Sequence, residues 1–447
     1  MTSPAPQRDL VPRREAFLWW LKLGFINFGG PAGQIAIMHD ELVDRRRWIN
    51  DDRFLHALNF CMLLPGPEAQ QLAIYVGWLL NGTLGGIVAG VLFVLPAFFL
   101  ILGLSWTYAA HGDVTWIAAV FYGLCSAVIG LVAVAVIRVG SKALKTPAAW
   151  AVAALAFVTI FFLDVPFPLI VLGAAIAGYV GSRIDPRWWP ASGHGEEREG
   201  DHVISGAALE RVRPTWRRSV AVLLTGLAIW WGPLLLVLLW RGTEDTLSKE
   251  ALFFSQAAMV TFGGAYAVLS YINEAAVQQF GWLAPGQMVT GLGLAESTPG
   301  PLIMVTEFVG FLGGYNFPGG LDPVVAGILG ATITTWATFA PCFLWIFLGA
   351  PYVERLRGKR GLSAALSAIT AAVVGVILNL AVTFGAVALF DDVDGSRGFP
   401  VPDPTSIDAF AAALAIASLV ALWRYKVNVL WVVLASAGAG LLYRLVV

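Results

Sequence analysis

The chain has 447 residues, of which 58% are hydrophobic and only 13% are charged, and its formal net charge at pH 7 is −1. Because soluble domains carry about 25% charged residues, this composition excludes an ordinary soluble enzyme and a disordered protein. The net charge near zero also argues against a nucleic-acid partner, because it creates no overall field for a polyanion. An integral membrane protein with many spans remains.

The N-terminal stretch is polar and basic, and the first apolar run goes from Ala16 to Gly30 without a small-residue cleavage site. We therefore expect a short cytoplasmic tail and no signal peptide. The three cysteines, Cys61, Cys125 and Cys342, lie far apart in apolar surroundings, so they predict neither a disulfide framework nor a metal site. No metal or other cofactor is expected.

Two glycine-rich motifs recur at a constant distance along the chain. Phe28-Gly29-Gly30 and Pro65-Gly66-Pro67 both return 234 positions later, as Phe262-Gly263-Gly264 and Pro299-Gly300-Pro301. We call this spacing the repeat offset, and the motifs the FGG and PGP motifs. A register kept without a gap over about forty residues indicates an internal duplication. It predicts a first repeat over 1–182 and a second over 250–447, separated by a cytoplasmic linker and one inverting span over 183–249.

Nine apolar stretches follow the motifs or lie between the repeats. Most of them approach the ~20 residues that a helix needs to cross a bilayer. They are 86–110, 114–137, 148–163, 166–182, 219–240, 323–350, 362–389, 407–423 and 428–446. The sequence therefore predicts an all-α polytopic membrane protein built from two repeats, with re-entrant or broken helices at the FGG and PGP motifs.

Equivalent loops of the two repeats differ in positive charge, which marks cytoplasmic loops. The loop after the first FGG motif holds Arg45, Arg46 and Arg47, whereas its equivalent around Gln279 is uncharged. After the first long span the basic residues belong to the second repeat, at Arg355, Arg357, Lys359 and Arg360. This inversion predicts inverted-topology repeats, with a cytoplasmic N-terminus and a C-terminus on the opposite side of the membrane.

The same charges constrain the motif segments. If Arg14 and Arg45 are both cytoplasmic, the stretch 16–43 must return to the side on which it began. Gly and Pro near its middle break a helix, so we predict re-entrant hairpins with tips at the FGG and PGP motifs of each repeat. Such irregular backbone is tolerated only where protein or a cavity surrounds it. The alternative is that 16–38 spans once.

Four broken-helix tips would converge near the midplane, where helix N-termini offer unpaired N–H groups to an anion. The alternative is that the motifs only kink helices and let them pack closely. The candidate substrate-binding residues are the motif residues and their polar neighbours, namely Asn27, Phe28, Gly29, Gly30, Pro65, Gly66, Pro67, Gln70, Gln71, Thr261, Gly263, Gly264, Ser297, Thr298, Pro299, Gly300 and Pro301.

Three carboxyls beside the tips, Glu68, Glu296 and Glu307, are the candidate proton-coupling residues, because ionisable groups at membrane depth are by default functional. Glu296 is the first choice, since the neighbouring Ser297 and Thr298 can donate to an oxyanion. Each carboxyl could equally cap a half-helix. Lys22 is the candidate countercharge, or it snorkels to the interface. Arg45–Arg47 determine topology and could secondarily gather anions at the entrance.

These motifs resemble the chromate ion transporter (CHR) family in its long two-domain form. The matching stretches are 27–31, 45–48, 64–71, 261–264 and 295–301. The resemblance implies chromate export from the bacterial cytoplasm across the inner membrane, driven by the proton gradient, with sulfate as a related anion. In that setting the C-terminus would be periplasmic. Ala265 stands where the first repeat has Pro31, so the two FGG tips are not strictly equivalent.

The sequence therefore predicts a secondary active transporter that exports chromate. We expect no enzyme, because the chain has no HExxH or GxSxG motif and no Cys/His cluster. A transporter or channel for sulfate or another oxyanion is the alternative. The predicted partners are chromate or sulfate, protons and the lipid bilayer, with no nucleic acid, and a homodimer is left open.

Overall fold

The computed structural model describes residues 11–446 except 29, 63, 113, 186, 190–214, 263–264, 353–359 and 395–398. Within this part, the chain forms 16 α-helices and one two-stranded antiparallel sheet. Most of the predicted linker and the basic loop at 355–359 lie outside the described residues. The all-α fold that the apolar pattern predicts is confirmed.

Among the described residues, the first half contains seven helices. They are α1 (Arg13–Ile26), α2 (Gly30–His39), α3 (Asp51–Cys61), α4 (Glu68–His111), α5 (Thr115–Ala143), α6 (Pro147–Leu163) and α7 (Phe167–Ile184). The helix α8 (Trp216–Arg241) follows the linker and precedes the second half.

The described part of the second half contains eight helices and the small sheet. The helices are α9 (Thr246–Val260), α10 (Ala265–Asn273), α11 (Gln287–Ser297), α12 (Val305–Asn316), α13 (Pro323–Gly349), α14 (Arg360–Leu389), α15 (Ala409–Trp423) and α16 (Val429–Val446). The sheet pairs β1 (Val393–Asp394) with β2 (Val401–Pro402) between α14 and α15.

Seven helices of the described chain are long and apolar enough to cross a membrane, and two shorter apolar helices, α6 and α15, complete the nine predicted stretches. The 44-residue α4 is interrupted at Asn81 and Gly82, whose dihedral angles are not helical. Residues 68–80 therefore form a separate helical segment, and the segment after the break contains the predicted span 86–110. The protein is a multi-pass membrane protein.

The segments around the two motif pairs share an unusual local structure at the repeat offset. Each contains a π-helical turn, Asp40–Arg45 in the first half and Glu274–Gln279 in the second. Each turn is followed by a residue of positive φ, Arg47 at 52° and Gly281 at 64°. Positive φ is uncommon for a residue other than glycine. The backbone therefore repeats in its irregular parts as well as in its helices.

The packing around these turns also repeats, although its chemistry differs. In the first half, the guanidinium of Arg46 lies 5.3 Å and 4.9 Å from the ring centroids of Trp19 and Trp48. The equivalent positions of the second half hold three aromatic side chains that contact one another, Phe253, Phe280 and Trp282. A cation–π contact in one half is thus replaced by aromatic stacking in the other.

The first motif segment returns to the end of the molecule where it starts. Glu15, in the first turn of α1, forms an ion pair of 3.0 Å with Arg46, which follows the π-helical turn. A continuous helix over the same 31 steps would separate the two residues by about 46 Å, at 1.5 Å per residue. This contact does not fit the alternative in which 16–38 spans once.

The start of α1 lies at the same end as the start of α8. The carbonyl of Val11 accepts a hydrogen bond of 2.9 Å from the side chain of Asn81, at the break in α4. Just beyond that break, Gly86 packs against the ring of Phe347. The carbonyl of Phe347 accepts a hydrogen bond of 3.4 Å from Arg218, in the first turn of α8.

The second half begins at the other end of α8. Arg241, the last residue of α8, forms an ion pair of 2.8 Å with Asp245, and the Asp245 side chain caps the N-terminus of α9. The 26 residues of α8 span about 39 Å at 1.5 Å per residue. The broken segments of the two halves therefore start from opposite ends of the molecule.

The central glycine of each PGP motif has a backbone conformation that L-residues rarely adopt. Gly66 has φ of 118°, and Gly300, its equivalent in the second half, has φ of 142°. A Cβ on Gly66 would lie 2.9 Å from the thiol sulfur of Cys342, and one on Gly300 would collide with the side chain of Ala97. Both positions therefore require glycine for conformation and for space.

We predict that Gly300→Ala lowers the free energy of unfolding by about 2 kcal/mol, because the added methyl group overpacks the contact with Ala97. Gly103→Ala is the matched control, since Gly103 lies on the exposed face of α4 with nothing within 4 Å of its Cβ position. Thermal unfolding in detergent, followed by size-exclusion chromatography, measures both. Equal midpoints for the two variants would contradict the prediction.

Candidate functional site

The FGG and PGP segments meet across the two halves. The N–H of Gly66 donates to the carbonyl of Thr261 at 2.8 Å, and the N–H of Gly300 donates to the carbonyl of Asn27 at 2.9 Å. The two donors, Gly66 and Gly300, are separated by the repeat offset, and so are the two acceptors, Asn27 and Thr261. Each half thus supplies backbone partners to the break of the other half, which satisfies polar groups that lipid cannot solvate. We call this pair of bonds the crossing.

A water-sized pocket lies beside the crossing. Gln34 of α2 donates from Nε2 to the carbonyl of Gly300 at 2.6 Å and lines this pocket. The other lining residues are Pro31, Pro67, Glu68, Ala69, Thr261, Pro301, Leu302 and Ile303. Its volume of about 10 Å³ is at the limit for a single water molecule, so a tetrahedral oxyanion does not fit in this conformation. We call it the inner pocket.

A much larger cavity reaches the same region from one end of the molecule. Its volume of about 580 Å³ is within the usual range for small-molecule sites. Its residues nearest the crossing are Gly30, Pro31, Glu68, Tyr266 and Glu296. Pro31 and Glu68 line both the cavity and the inner pocket, so they form the partition between the two.

Two of the three predicted carboxyls lie on the wall of this cavity. Glu296, near the end of α11, is buried and accepts a hydrogen bond from the hydroxyl of Tyr266 on α10. Glu68 is the first residue of α4, directly after its N-cap residue Pro67, where the helix dipole favours a negative charge. The two positions are not equivalent in the repeat, and yet the fold brings both to one cavity.

A basic region also lines the cavity, and Arg138 brings it near the carboxyls. Arg138 and Lys142 lie one turn apart at the end of α5, and Lys145 follows in the next loop. The guanidinium of Arg138 is close enough to act electrostatically on both Glu296 and Tyr266. The sequence prediction of the site does not include these three cations. The available signal was a pair of basic residues four positions apart at the end of an apolar span.

The arginines proposed to gather anions are engaged elsewhere. Arg45 forms an ion pair of 3.0 Å with Asp40, and Arg46 pairs with Glu15 and Glu41, each at 3.0 Å. None of Arg45–Arg47 lines the cavity. Lys22 does not line it either, because its side chain is exposed and lies 6.0 Å from the ring centroid of Trp19.

The hydroxyl groups next to Glu296 are also engaged. Ser297 and Thr298 both donate to the carbonyl of Leu294, at 2.9 Å and 3.1 Å. Either hydroxyl must rotate away from its helix before it can donate to an anion. Three predicted tip residues, Gly29, Gly263 and Gly264, lie outside the described residues.

Several buried amides near the crossing have unused hydrogen-bonding groups. Asn27 is fully buried, and neither polar atom of its side chain has a partner in the described structure. Gln71 donates to the carbonyl of Pro65 at 2.7 Å, and Gln70 donates to that of Gly90 at 3.4 Å, while both side-chain oxygens stay unpaired. An unpaired buried polar group costs about 1–3 kcal/mol. These amides are therefore placed to bind a ligand or to exchange partners when the helices move.

The third predicted carboxyl, Glu307, lies apart from the cavity. It belongs to the first turn of α12 and is fully buried. Neither of its carboxyl oxygens has a hydrogen-bond partner among the described residues. Glu307 is not among the residues that line the cavity or the inner pocket.

Comparison with known proteins identifies the family. The model of the chromate transporter family matches residues 14–179 and 249–441. The chain belongs to the chromate transporter family. The two matched segments coincide with the two halves whose motif segments fold alike, and the predicted resemblance is confirmed.

Curated relatives extend over most of the chain. The chromate transport protein of Pseudomonas aeruginosa is 31% identical over 435 residues, which cover 95% of this chain and 91% of the relative. The chromate transport protein of Cupriavidus metallidurans is 29% identical over 381 residues, or 85% and 84% of the two chains. The probable chromate transport protein of Synechococcus elongatus is 29% identical over 374 residues, or 83% and 84%. No solved structure matches this chain.

Proposed function

We propose that this protein is a secondary active transporter that exports chromate from the cytoplasm with coupling to protons. The observation that carries the proposal is the cavity, which joins a basic region at one end to two carboxyls at the crossing of the two halves. The relatives named as chromate transport proteins support chromate as the anion. Membership of a transporter family supports a transporter rather than an enzyme.

The basic region supplies the first step. Arg138, Lys142 and Lys145 attract a dianion to the cavity, and their attraction increases inside it, where less water screens charge. An inside-negative membrane potential then favours outward movement. Two negative charges moving outward gain about 4.6 kcal/mol per 100 mV, at about 2.3 kcal/mol for each charge. The potential therefore favours export of a dianion over uptake.

The carboxyls supply the coupling. When Glu68 and Glu296 are ionised they repel a dianion from the inner end of the cavity. When either is protonated, the repulsion decreases and the carboxyl gains an O–H that can donate to the oxyanion. Proton binding thus controls whether the anion reaches the crossing. For export against an inward proton, the carboxyl must return its proton to the cytoplasm before the halves separate, so that the anion leaves alone. If the proton stays on the carboxyl while the anion crosses, both ions move together and the proton gradient carries the anion inward. The direction of flux therefore distinguishes an exporter from a proton–oxyanion symporter.

The fold supports alternating access by two inverted repeats. The donors of the two bonds of the crossing are separated by the repeat offset, and so are their acceptors. The broken segments of the two halves start from opposite ends of α8. In this conformation the cavity lies on the side of Arg138 and Lys142, which we assign to the cytoplasm. Separation of the halves at the crossing would then open the inner pocket to the outside.

The function itself is tested with inside-out vesicles. Uptake of chromate, sulfate and molybdate is compared with and without an imposed pH gradient and with a potential of either sign. Chromate uptake that responds to both gradients supports the proposal. If the vesicles take up none of the three anions, the proposed substrate class is wrong. Flux that only follows the anion gradient would indicate a channel.

The inverted topology predicts opposite labelling at Arg45 and Gln279, which are exposed and occupy equivalent positions of the two repeats. In a background in which Cys61, Cys125 and Cys342 are replaced by Ser, we expect a cysteine at 45 to react with an impermeant thiol reagent only from the cytoplasm. A cysteine at 279 should react only from outside. Labelling of both positions from the same side would refute the inversion.

The basic region predicts an effect of Arg138→Gln on anion affinity. Removal of one cation from the cavity should raise KM for chromate on the order of tenfold, which corresponds to about 1.4 kcal/mol. Arg45→Gln is the matched control, because Arg45 pairs with Asp40 outside the cavity, and its KM should be unchanged. Flux into proteoliposomes as a function of chromate concentration measures both. A wild-type KM for Arg138→Gln would remove this residue from the site.

The coupling role predicts a specific effect of Glu296→Gln and Glu68→Gln. Gln mimics the protonated acid, so the coupling variant should keep anion–anion exchange while its flux no longer responds to a pH gradient. If a carboxyl only caps a helix, Gln should lower stability slightly and leave the pH response intact. Proteoliposome flux at imposed pH gradients distinguishes these results. If both variants keep the wild-type response, Glu307 becomes the next candidate.

A further inference from the structure

A carboxyl outside the cavity and outside the predicted motifs is buried in the second half. Glu250, in the second turn of α9, is fully buried, and neither of its carboxyl oxygens has a hydrogen-bond partner among the described residues. Its equivalent in the first half is Ala16, so the acid belongs to one half only. A buried ionisable group without a hydrogen-bond partner in a membrane protein is by default a candidate for function.

Two glycines form the slot that holds this carboxyl. A Cβ on Gly330 of α13 would lie 2.8 Å from Oε2 of Glu250, and a Cβ on Gly313 of α12 would collide with Oε1. The same Cβ position on Gly313 is 3.2 Å from the ring of Trp282. The backbones of two helices therefore enclose the carboxyl directly, and no side chain at 313 or 330 separates it from them.

The charges around the slot do not neutralise it. On α8, Arg241 is engaged with Asp245 at 2.8 Å and with the carbonyl of Gly319 at 2.5 Å. On α9, Lys249 pairs with Glu244 at 3.1 Å, and Asp245 adds a negative charge near Glu250. The sequences of α10 and α13 contain no charged residue, and α12 contains only Glu307.

An ionised Glu250 would therefore be a buried charge without a partner, which is among the most unfavourable arrangements in a protein. The neutral acid avoids this cost. We propose that Glu250 is a further proton-binding site of the transporter, which holds a proton in this conformation and exchanges it at the end of the molecule opposite the cavity. This inference rests on the proposed function, because it assigns a role within proton-coupled transport.

Its position gives the site a direction. Glu250 lies just after the end of α8 at Arg241 and lines neither the inner pocket nor the cavity, which lies on the side of Lys142. Between them, α12 carries the other unpartnered carboxyl, Glu307, six residues before Gly313 and thus about 9 Å along the helix axis. Ile303, four residues before Glu307, lines the inner pocket with Glu68. Glu68 is thus connected through the inner pocket and α12 to Glu307 and then to Glu250.

The experiment compares Glu250→Gln with Glu244→Gln in the full-length protein. The control makes the same chemical change six residues earlier at an exposed carboxyl that pairs with Lys249. The first measurement is the infrared C=O stretch of protonated carboxylic acids at neutral pH in detergent. The second is chromate flux in proteoliposomes with and without a pH gradient.

We expect the infrared spectrum of Glu250→Gln to lack one protonated-acid band. The stimulation of its chromate flux by a pH gradient should be at least tenfold smaller than in the wild type, while anion–anion exchange continues. Glu244→Gln should match the wild type in both measurements. If Glu250→Gln does not fold, Glu250→Asp keeps an acid in the slot, and its band should shift in position. An unchanged infrared spectrum for the variant obtained would overturn the proposal, as would a wild-type response of Glu250→Gln to the gradient.

Failure of the proposed function is recognised separately. If the wild-type protein moves no chromate in either direction, the proposed substrate is wrong. A role of Glu250 in transport is then rejected with it, although the infrared comparison still decides whether Glu250 holds a proton.

Discussion

The architecture depends on the need to satisfy backbone polar groups where helices break in the interior of a membrane protein. At the FGG and PGP motifs the chain leaves the helix, and lipid offers no partner to the freed N–H and carbonyl groups. The crossing solves this for both halves at once, because Gly66 and Gly300 each donate to the break of the other half. Neither half can satisfy these groups alone in this arrangement. The two breaks are therefore held together at the centre, and the walls of the cavity are built around them.

The halves share a scaffold but differ in chemistry. The aromatic partners of Trp282 occupy the positions of Trp19 and Arg46, so one cluster has lost a positive charge without losing its packing. The carboxyls differ more. Glu296, Glu307 and Glu250 all belong to the second half, and the equivalent positions of the first half hold the uncharged residues Met62, Ala73 and Ala16. On the proposed function, the first half contributes the basic region and Glu68, while the second contributes most of the proton-binding groups.

The sequence predicts the fold well because most of its signals are local. Nine apolar stretches and a repeat of constant offset need no knowledge of tertiary contacts, and each apolar stretch corresponds to a helix. The candidate site is predicted less completely. Arg138 and Lys142 face the cavity because of how α5 packs, and that orientation cannot be read from a charge at the end of a span. Glu250 was missed for a similar reason, since its slot is formed by glycines of two other helices, α12 and α13.

The volumes of the two pockets determine what transport requires. An oxyanion fits in the cavity but not in the inner pocket of about 10 Å³, so on the proposed function the halves separate at the crossing to let an anion pass. Separation breaks the two backbone bonds of the crossing and the bond from Gln34 to Gly300. The freed groups are buried, so they need new partners if the cost of about 1–3 kcal/mol for each unpaired group is to be avoided. The unpaired amide groups of Asn27, Gln70 and Gln71 lie near the crossing and can supply such partners. The proposed movement therefore requires an exchange of polar partners at the crossing rather than their simple loss.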